Sequence, residues 1–94
     1  MNQYEVTFIV QPDLEENGLE ELLDKVQGWI TNSGGIIEKV ERWGKRKLAY
    51  SIRKHKEGTY FLLHAEMDPS FCHELERNMQ ILEPIIRYMV IKKD

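Results

Sequence analysis

Apolar and polar residues alternate strictly at the start of the chain. A period of two residues is typical of a strand that buries one of its sides. The pattern therefore predicts a first strand over residues 3–10, and Pro12 ends it. The residues on the apolar side are Tyr4, Val6, Phe8 and Val10.

Two later segments have the three-to-four-residue spacing of amphipathic helices. The first follows Asn17, a possible N-cap with Glu20 three positions later, and stops at Gly34-Gly35. The second starts at Asp68-Pro69 and ends before Pro84. The predicted buried stripes are Leu19, Leu22, Leu23, Val26 and Ile30 in the first helix, and Phe71, Leu75, Met79 and Leu82 in the second.

Three more strands follow from the remaining apolar segments. Residues 36–54 predict a long second strand that bends at Gly44, because a glycine inside a strand pattern marks a bulge or a turn. Glu57-Gly58 predicts the turn into a third strand over residues 59–67, and residues 85–91 predict a fourth strand.

The element order βαββαβ in a chain of 94 residues indicates one domain that spans residues 1–94. Two interleaved right-handed β-α-β units account for this order with short connections. We therefore expect the α+β ferredoxin-like fold, a four-stranded antiparallel sheet in the order 4-1-3-2 with two helices on one face. That fold hosts enzymes, metabolite sensors and RNA-binding modules, so it does not decide the function.

Positive charge is concentrated in one stretch of an acidic chain. The net charge is −3, yet residues 43–56 contain six of the thirteen lysines and arginines and no carboxylate. Residues 13–24, by contrast, carry six acidic residues and no basic one. Because phosphate attraction depends on a local patch, the stretch favours a polyanionic partner. The alternative is a solvated strand edge whose lysines discourage strand-to-strand aggregation. Leu48, Tyr50 and Ile52 alternate within it and are predicted core residues that hold the strand in place.

A second candidate surface lies on the side of the sheet that the helices leave open. The alternation places Ile9, Leu62, Met89 and Ile91 there, with Tyr60 beside them. One interpretation is a protein contact, and the other is scattered apolar side chains that need no partner. Tyr60 with Glu66 makes a weak platform for base stacking, which argues against an RNA-recognition motif.

The sequence offers no catalytic or metal-binding constellation. A single cysteine, Cys72, excludes an internal disulfide, an iron–sulfur cluster and a thiolate zinc site. The three histidines lack metal-ligand spacing, and the loop around Pro12 and Asp13 is a poor phosphate cradle for an acylphosphatase. We expect no enzyme activity, no metal and no cofactor. No signal peptide or membrane-spanning segment is recognisable, so the cytoplasm is the expected location.

One longer motif resembles a known family. Residues 44–52 read Gly-Lys-Arg-Lys-Leu-Ala-Tyr-Ser-Ile, which is similar to the signature of bacterial small-subunit ribosomal protein six. That signature is a glycine and a basic pair followed by Leu-Ala-Tyr-x-Ile. The resemblance extends over nearly the whole chain through Tyr4-Glu5, Glu41-Arg42-Trp43, Gly58, Arg87 and Met89-Val90.

The resemblance implies a structural component that binds the central domain of small-subunit ribosomal RNA together with small-subunit ribosomal protein eighteen, as a heterodimer. On this hypothesis the protein is a monomer when alone and has no small-molecule substrate. The open-face residues would dock the partner, and the phosphate contacts would be Arg46, Lys47, Arg53, Lys54, Lys56, Arg87 and Lys92. The alternative is a regulatory or ligand-sensing module that forms a homodimer through its sheet.

Overall fold

A computed structural model describes residues 1–93 of the chain, which form one sheet and two helices. Along the sheet the strands lie in the order second, third, first and fourth, so the predicted order and antiparallel pairing are confirmed. A single 3-10 turn, Pro69–Phe71, precedes the second helix. The elements are β1 (Asn2–Val10), α1 (Glu16–Asn32), β2 (Ile36–Ile52), β3 (His55–Met67), α2 (Cys72–Ile81) and β4 (Ile85–Lys92).

The hydrophobic core lies between the helices and one side of the sheet. The apolar side of β1 contributes to it as the alternation predicts, and Phe8 stacks on Phe61 with ring centroids 5.3 Å apart. The two helices complete the same core. Their buried residues are Leu22, Leu23, Val26 and Ile30 in α1, and Leu75 and Met79 in α2.

The helix ends follow the predicted signals only in part. Asp68 accepts a hydrogen bond of 2.9 Å from the Ser70 amide, so it caps the turn that leads into α2. The amide of Gly35 donates to the Ile30 carbonyl at 3.0 Å, where α1 stops. The prediction of Asn17 as the N-cap of α1 is wrong. Glu15 holds that position, and its side chain makes no capping hydrogen bond.

The connection between β2 and β3 differs from the predicted turn at Glu57-Gly58. The chain reverses at Arg53-Lys54, whose φ angles are 49° and 68°, and β3 begins at His55. Gly58 is paired inside the ladder instead, and a Cβ there would overlap the Cγ2 of Ile9. The glycine therefore permits close packing between strands. In the sequence, a glycine with this role looks the same as a glycine in a turn.

An irregularity in the pairing of β2 lies at Gly44, as predicted. Gly44 has a φ of 77°, and the pairing with β3 shifts between Arg42 and Gly44. Beyond this point the two strands continue past the end of β1, whose last residue, Val10, pairs with Thr59. We call residues 45–58 the basic hairpin.

The basic hairpin extends away from the main core. Leu48 and Ile52 are only half-buried, and Tyr50 is 63% exposed. The prediction that these three residues belong to the core is wrong. They alternate like core residues, but the register of β2 against β3 shifts between Lys47 and Ile52, and regular pairing is lost there.

Candidate nucleic-acid interface

The basic hairpin presents six exposed cations. Within residues 1–93, none of them forms a salt bridge. Arg42, just before the hairpin, is different, because its Nε and Nη2 donate to the carboxylate of Glu20 at 3.2 and 3.0 Å. The charge of the hairpin is thus available to an outside anion. Its cations are Lys45, Arg46, Lys47, Arg53, Lys54 and Lys56.

Two arginines of the hairpin are held by backbone carbonyls. Arg46 donates through Nε to the carbonyl of Trp43 at 3.2 Å, and Arg53 donates through Nη1 to the carbonyl of Glu83 at 3.1 Å. A guanidinium has five N–H donors, so each of these contacts leaves several free. The arginines are therefore oriented by the protein while most of their donors can still reach a phosphate.

Arg87 lies next to the basic hairpin, although it belongs to β4. Its Nη1 donates to the phenolic oxygen of Tyr50 at 2.6 Å, and its guanidinium lies over the Tyr50 ring at 5.9 Å. The fold thus brings together Arg87 and the five hairpin residues predicted to contact phosphate.

Lys92 is separated from this group. It pairs with Tyr4 near the start of β1, whereas the hairpin lies beyond Val10 at the other end. Six residues of a strand span about 20 Å. The predicted contact at Lys92 therefore belongs to a different edge of the molecule.

The open side of the sheet carries the predicted apolar residues, with one correction. Met89 and Ile91 are 42% and 48% exposed, and Tyr60 and Leu62 are half-buried. Ile9 is only 6% exposed, so the expectation that it is uncovered is wrong. Gly58, which lacks a side chain, packs directly against it. Ile9 instead helps to line a shallow depression of about 150 Å³, together with Thr7, Tyr60, Arg87, Tyr88 and Met89.

A polar network occupies the other end of the open side. The side chain of His64 is 14% exposed and lies against Glu41, while its Nδ1 is 3.0 Å from the Nζ of Lys93 and 3.9 Å from a carboxylate oxygen of Glu5. Hydrogen bonds from His64 and from the Trp43 indole lower the pKa of Glu41 below its ordinary value. The carboxylates at this end therefore have cationic or histidine neighbours, whereas the hairpin end carries cations without ion-pair partners within residues 1–93.

Trp43 is exposed on this surface, although it is not among the site residues predicted from the sequence. Its indole is 45% exposed and nearly parallel to the ring of Tyr60, with centroids 6.3 Å apart and an angle of 9°. The sequence carries no signal for this contact, because it depends on the register in which Gly44, the residue beside Trp43, pairs with Tyr60.

Other kinds of site find little support in the described chain. No group of three or more histidine, cysteine or acidic side chains that could hold a metal ion occurs in residues 1–93. In the same residues, no helix is both long enough and apolar enough to cross a membrane.

The fold and this surface define a small ferredoxin-like domain with a cationic hairpin and a partly apolar open face. Residues 3–92 match the family model of ribosomal protein S6. The chain therefore belongs to the ribosomal protein S6 family, and the resemblance seen in residues 44–52 is confirmed.

Individual relatives agree over the whole chain. Small ribosomal subunit protein bS6 of Heliobacterium modesticaldum is 44% identical over 94 residues, which cover 100% of this chain and 98% of that protein. The protein of the same name from Clostridium acetobutylicum is 45% identical over 91 residues, or 97% and 96% of the two chains. The crystal structure of 30S ribosomal protein S6 from Thermotoga maritima superposes with a TM-score of 0.93 at 35% identity. It covers 98% of this chain and 87% of that one. The predicted fold is confirmed.

Proposed function

We propose that this chain is a non-catalytic structural component of the bacterial small ribosomal subunit. It binds the central domain of small-subunit ribosomal RNA together with small-subunit ribosomal protein eighteen, and it works in the cytoplasm as part of the ribosome. Membership of the ribosomal protein S6 family supports this role. The structural observation that carries it is the basic hairpin, whose six cations lack ion-pair partners within residues 1–93.

The RNA contacts of this proposal are of two kinds. Arg46, Arg53 and Arg87 are oriented by protein acceptors, so they suit directed hydrogen bonds to phosphate oxygens. The exposed lysines of the hairpin, Lys47, Lys54 and Lys56, supply diffuse charge. Lys92 would touch RNA independently, from the far end of β4.

The protein partner of this proposal occupies the open side of the sheet. The apolar contacts come from Tyr60, Leu62, Met89 and Ile91. The buried Ile9 lines a depression together with Tyr60 and Met89. Glu5 lies on this face with its carboxylate 3.9 Å from His64, and in this proposal it pairs with a cation of ribosomal protein eighteen. Such a partner would also add positive charge to the complex as a whole, which compensates for the net charge of −3 of this chain.

A matched pair of double variants tests the RNA contact. Arg46→Gln/Lys56→Gln removes two hairpin charges, and Lys25→Gln/Arg77→Gln removes two exposed helix charges. In reconstituted subunits we expect the hairpin variant to bind more weakly and to lose about one to two units of slope in log K against log salt. The helix variant should match the unmodified chain. Equal behaviour of the two variants would refute the assignment of the hairpin.

Native mass spectrometry separates this proposal from a homodimeric sensing module. The chain alone should be a monomer, and it should form a one-to-one complex with ribosomal protein eighteen. A stable homodimer, or a bound metabolite that survives purification, would favour the sensing module.

A further inference from the structure

The indole of Trp43 is a large aromatic surface at the base of the basic hairpin. It is 45% exposed and stacks on Tyr60 from the neighbouring strand. An indole exposed to this extent offers a large flat apolar surface that a ligand can cover. The phosphate contacts proposed above do not account for this side chain.

Three neighbours fix the position of the ring. Its Nε1 donates to Glu41 at 3.0 Å, and Tyr60 lies parallel to it. The guanidinium carbon of Arg46 lies over the indole, 5.7 Å from its centroid. A ring that is already ordered loses little conformational entropy when a ligand stacks on it.

We infer that Trp43, backed by Tyr60, is a stacking site for an unpaired base of RNA. Bases stack on aromatic rings and on the planes of arginine side chains. The base takes the place of the Arg46 guanidinium, which is exposed and has one hydrogen bond to the Trp43 carbonyl. Arg46 then reaches the phosphate of the same nucleotide or covers the base. This inference rests on the proposed function and adds single-stranded RNA to it.

The charges around Trp43 favour a nucleotide over a side chain of a basic protein. Lys45, Arg46 and Lys47 follow it closely in β2, and all three are exposed without ion pairs within residues 1–93. They repel a second cation, whereas a nucleotide brings its own phosphate. The neighbouring carboxylate of Glu41 is already engaged by the indole N–H and by His64.

Fluorescence of the full chain tests the site directly. Trp29→Phe leaves Trp43 as the sole tryptophan. The probes are an eight-nucleotide oligoadenylate and inorganic polyphosphate, at low salt. We expect the oligoadenylate to quench Trp43 strongly and the polyphosphate to quench it little, because only the former has bases.

Affinity measurements on variants complete the test. Trp43→Leu should weaken oligoadenylate binding about fivefold or more without changing its salt slope, and Trp43→Phe should retain most of the affinity. Arg46→Gln/Lys56→Gln should make the slope shallower. If only Trp43→Leu has an effect, stacking stands and the phosphate site fails. If only the charge variant has an effect, the phosphate site stands and stacking fails.

Three other outcomes would overturn the stacking site. One is the absence of oligoadenylate binding at low salt, and a second is equal quenching by polyphosphate. The third is a Trp43→Leu variant that loses ribosomal protein eighteen but keeps its affinity for oligoadenylate, which would assign the indole to a protein contact.

Discussion

The guanidinium of Arg87 donates a hydrogen bond of 2.6 Å to the phenolic oxygen of Tyr50, a residue 37 positions earlier in the chain. The contact joins the edge strand β4 to the basic hairpin, which otherwise extends away from the core. A second contact, from Arg53 to the Glu83 carbonyl, joins the turn of the hairpin to the loop between α2 and β4. Two arginines thus fix the hairpin while leaving donors free for phosphate.

Loss of the Tyr50 contact should loosen the hairpin without unfolding the protein. Tyr50→Ala removes a hydrogen bond and a cation–π contact at an exposed position, so we expect the global stability to fall by less than about 1 kcal/mol. Amide hydrogen exchange in residues 45–58 should become several-fold faster. In Tyr50→Phe, which keeps the ring, the exchange rate should lie between those of Tyr50→Ala and the unmodified chain. Unchanged exchange in Tyr50→Ala would show that Arg53 alone holds the hairpin.

Gly58 should tolerate no side chain. A Cβ there would overlap Ile9 and approach the Val10 carbonyl to 3.3 Å, so Gly58→Ala should cost about 1–3 kcal/mol in urea unfolding. The control is Gly28→Ala in α1, where nothing lies within 4 Å of an added Cβ. Alanine is the better helix former, and we expect that variant to gain about 0.5–1 kcal/mol. A stable Gly58→Ala protein would disprove the close packing of Gly58 on Ile9.

The fold was predictable from the sequence because its strands and helices bury only one side. Burial of one side imposes a period of two on β1 and of three to four on α1, and these periods survive in the sequence. The hairpin turn was not predictable in the same way. Arg53 and Lys54 are not typical turn residues, and Gly58 suggested a turn while serving close packing.

The candidate site was predictable as a charged segment but not as a surface. Clustering along the chain identified the hairpin cations, since neighbours in sequence remain neighbours in space. The alternation of Leu48 and Tyr50 indicated burial, but it carries no information about whether a helix covers that part of the sheet. The position of Lys92, the stacking of Trp43 on Tyr60 and the contact of Arg87 with Tyr50 depend on strand register, which only the structure gives.

Acid should destabilise the protein partly through Glu41. A hydrogen bond from His64 and another from Trp43 hold its pKa below the ordinary value of 4.5. Because the folded state binds the proton less readily than the unfolded chain, this stabilisation is present above pH 4.5 and is lost as the pH falls through the lower folded pKa.

The variant Glu41→Gln should therefore show a shallower loss of unfolding free energy below pH 4.5 than the unmodified chain, measured by urea titration between about pH 3 and 6. Glu21→Gln is the control, because Glu21 is exposed on α1 and forms no ion pair within residues 1–93. If both variants keep the slope of the unmodified chain, His64 and Trp43 do not stabilise the Glu41 carboxylate.

The two charged residues of the turn, Arg53 and Lys54, should lower the free energy of unfolding. Both residues have left-handed φ angles, 49° and 68°, which cost a non-glycine residue about 1 kcal/mol each. Lys54→Gly should therefore raise the free energy of unfolding by about 0.5–1 kcal/mol. Lys56→Gly removes the same charge from a strand with ordinary φ, and it should lower stability by about 0.5–1 kcal/mol.

Both glycine variants should weaken RNA binding to a similar extent, because each removes one exposed lysine of the hairpin. If the two variants change stability in opposite directions but lose affinity equally, Lys54 contributes charge to RNA binding at a position where the backbone favours glycine. If Lys54→Gly binds RNA as well as the unmodified chain while Lys56→Gly does not, the turn lies outside the RNA contact. Urea unfolding and subunit reconstitution at two salt concentrations distinguish these cases.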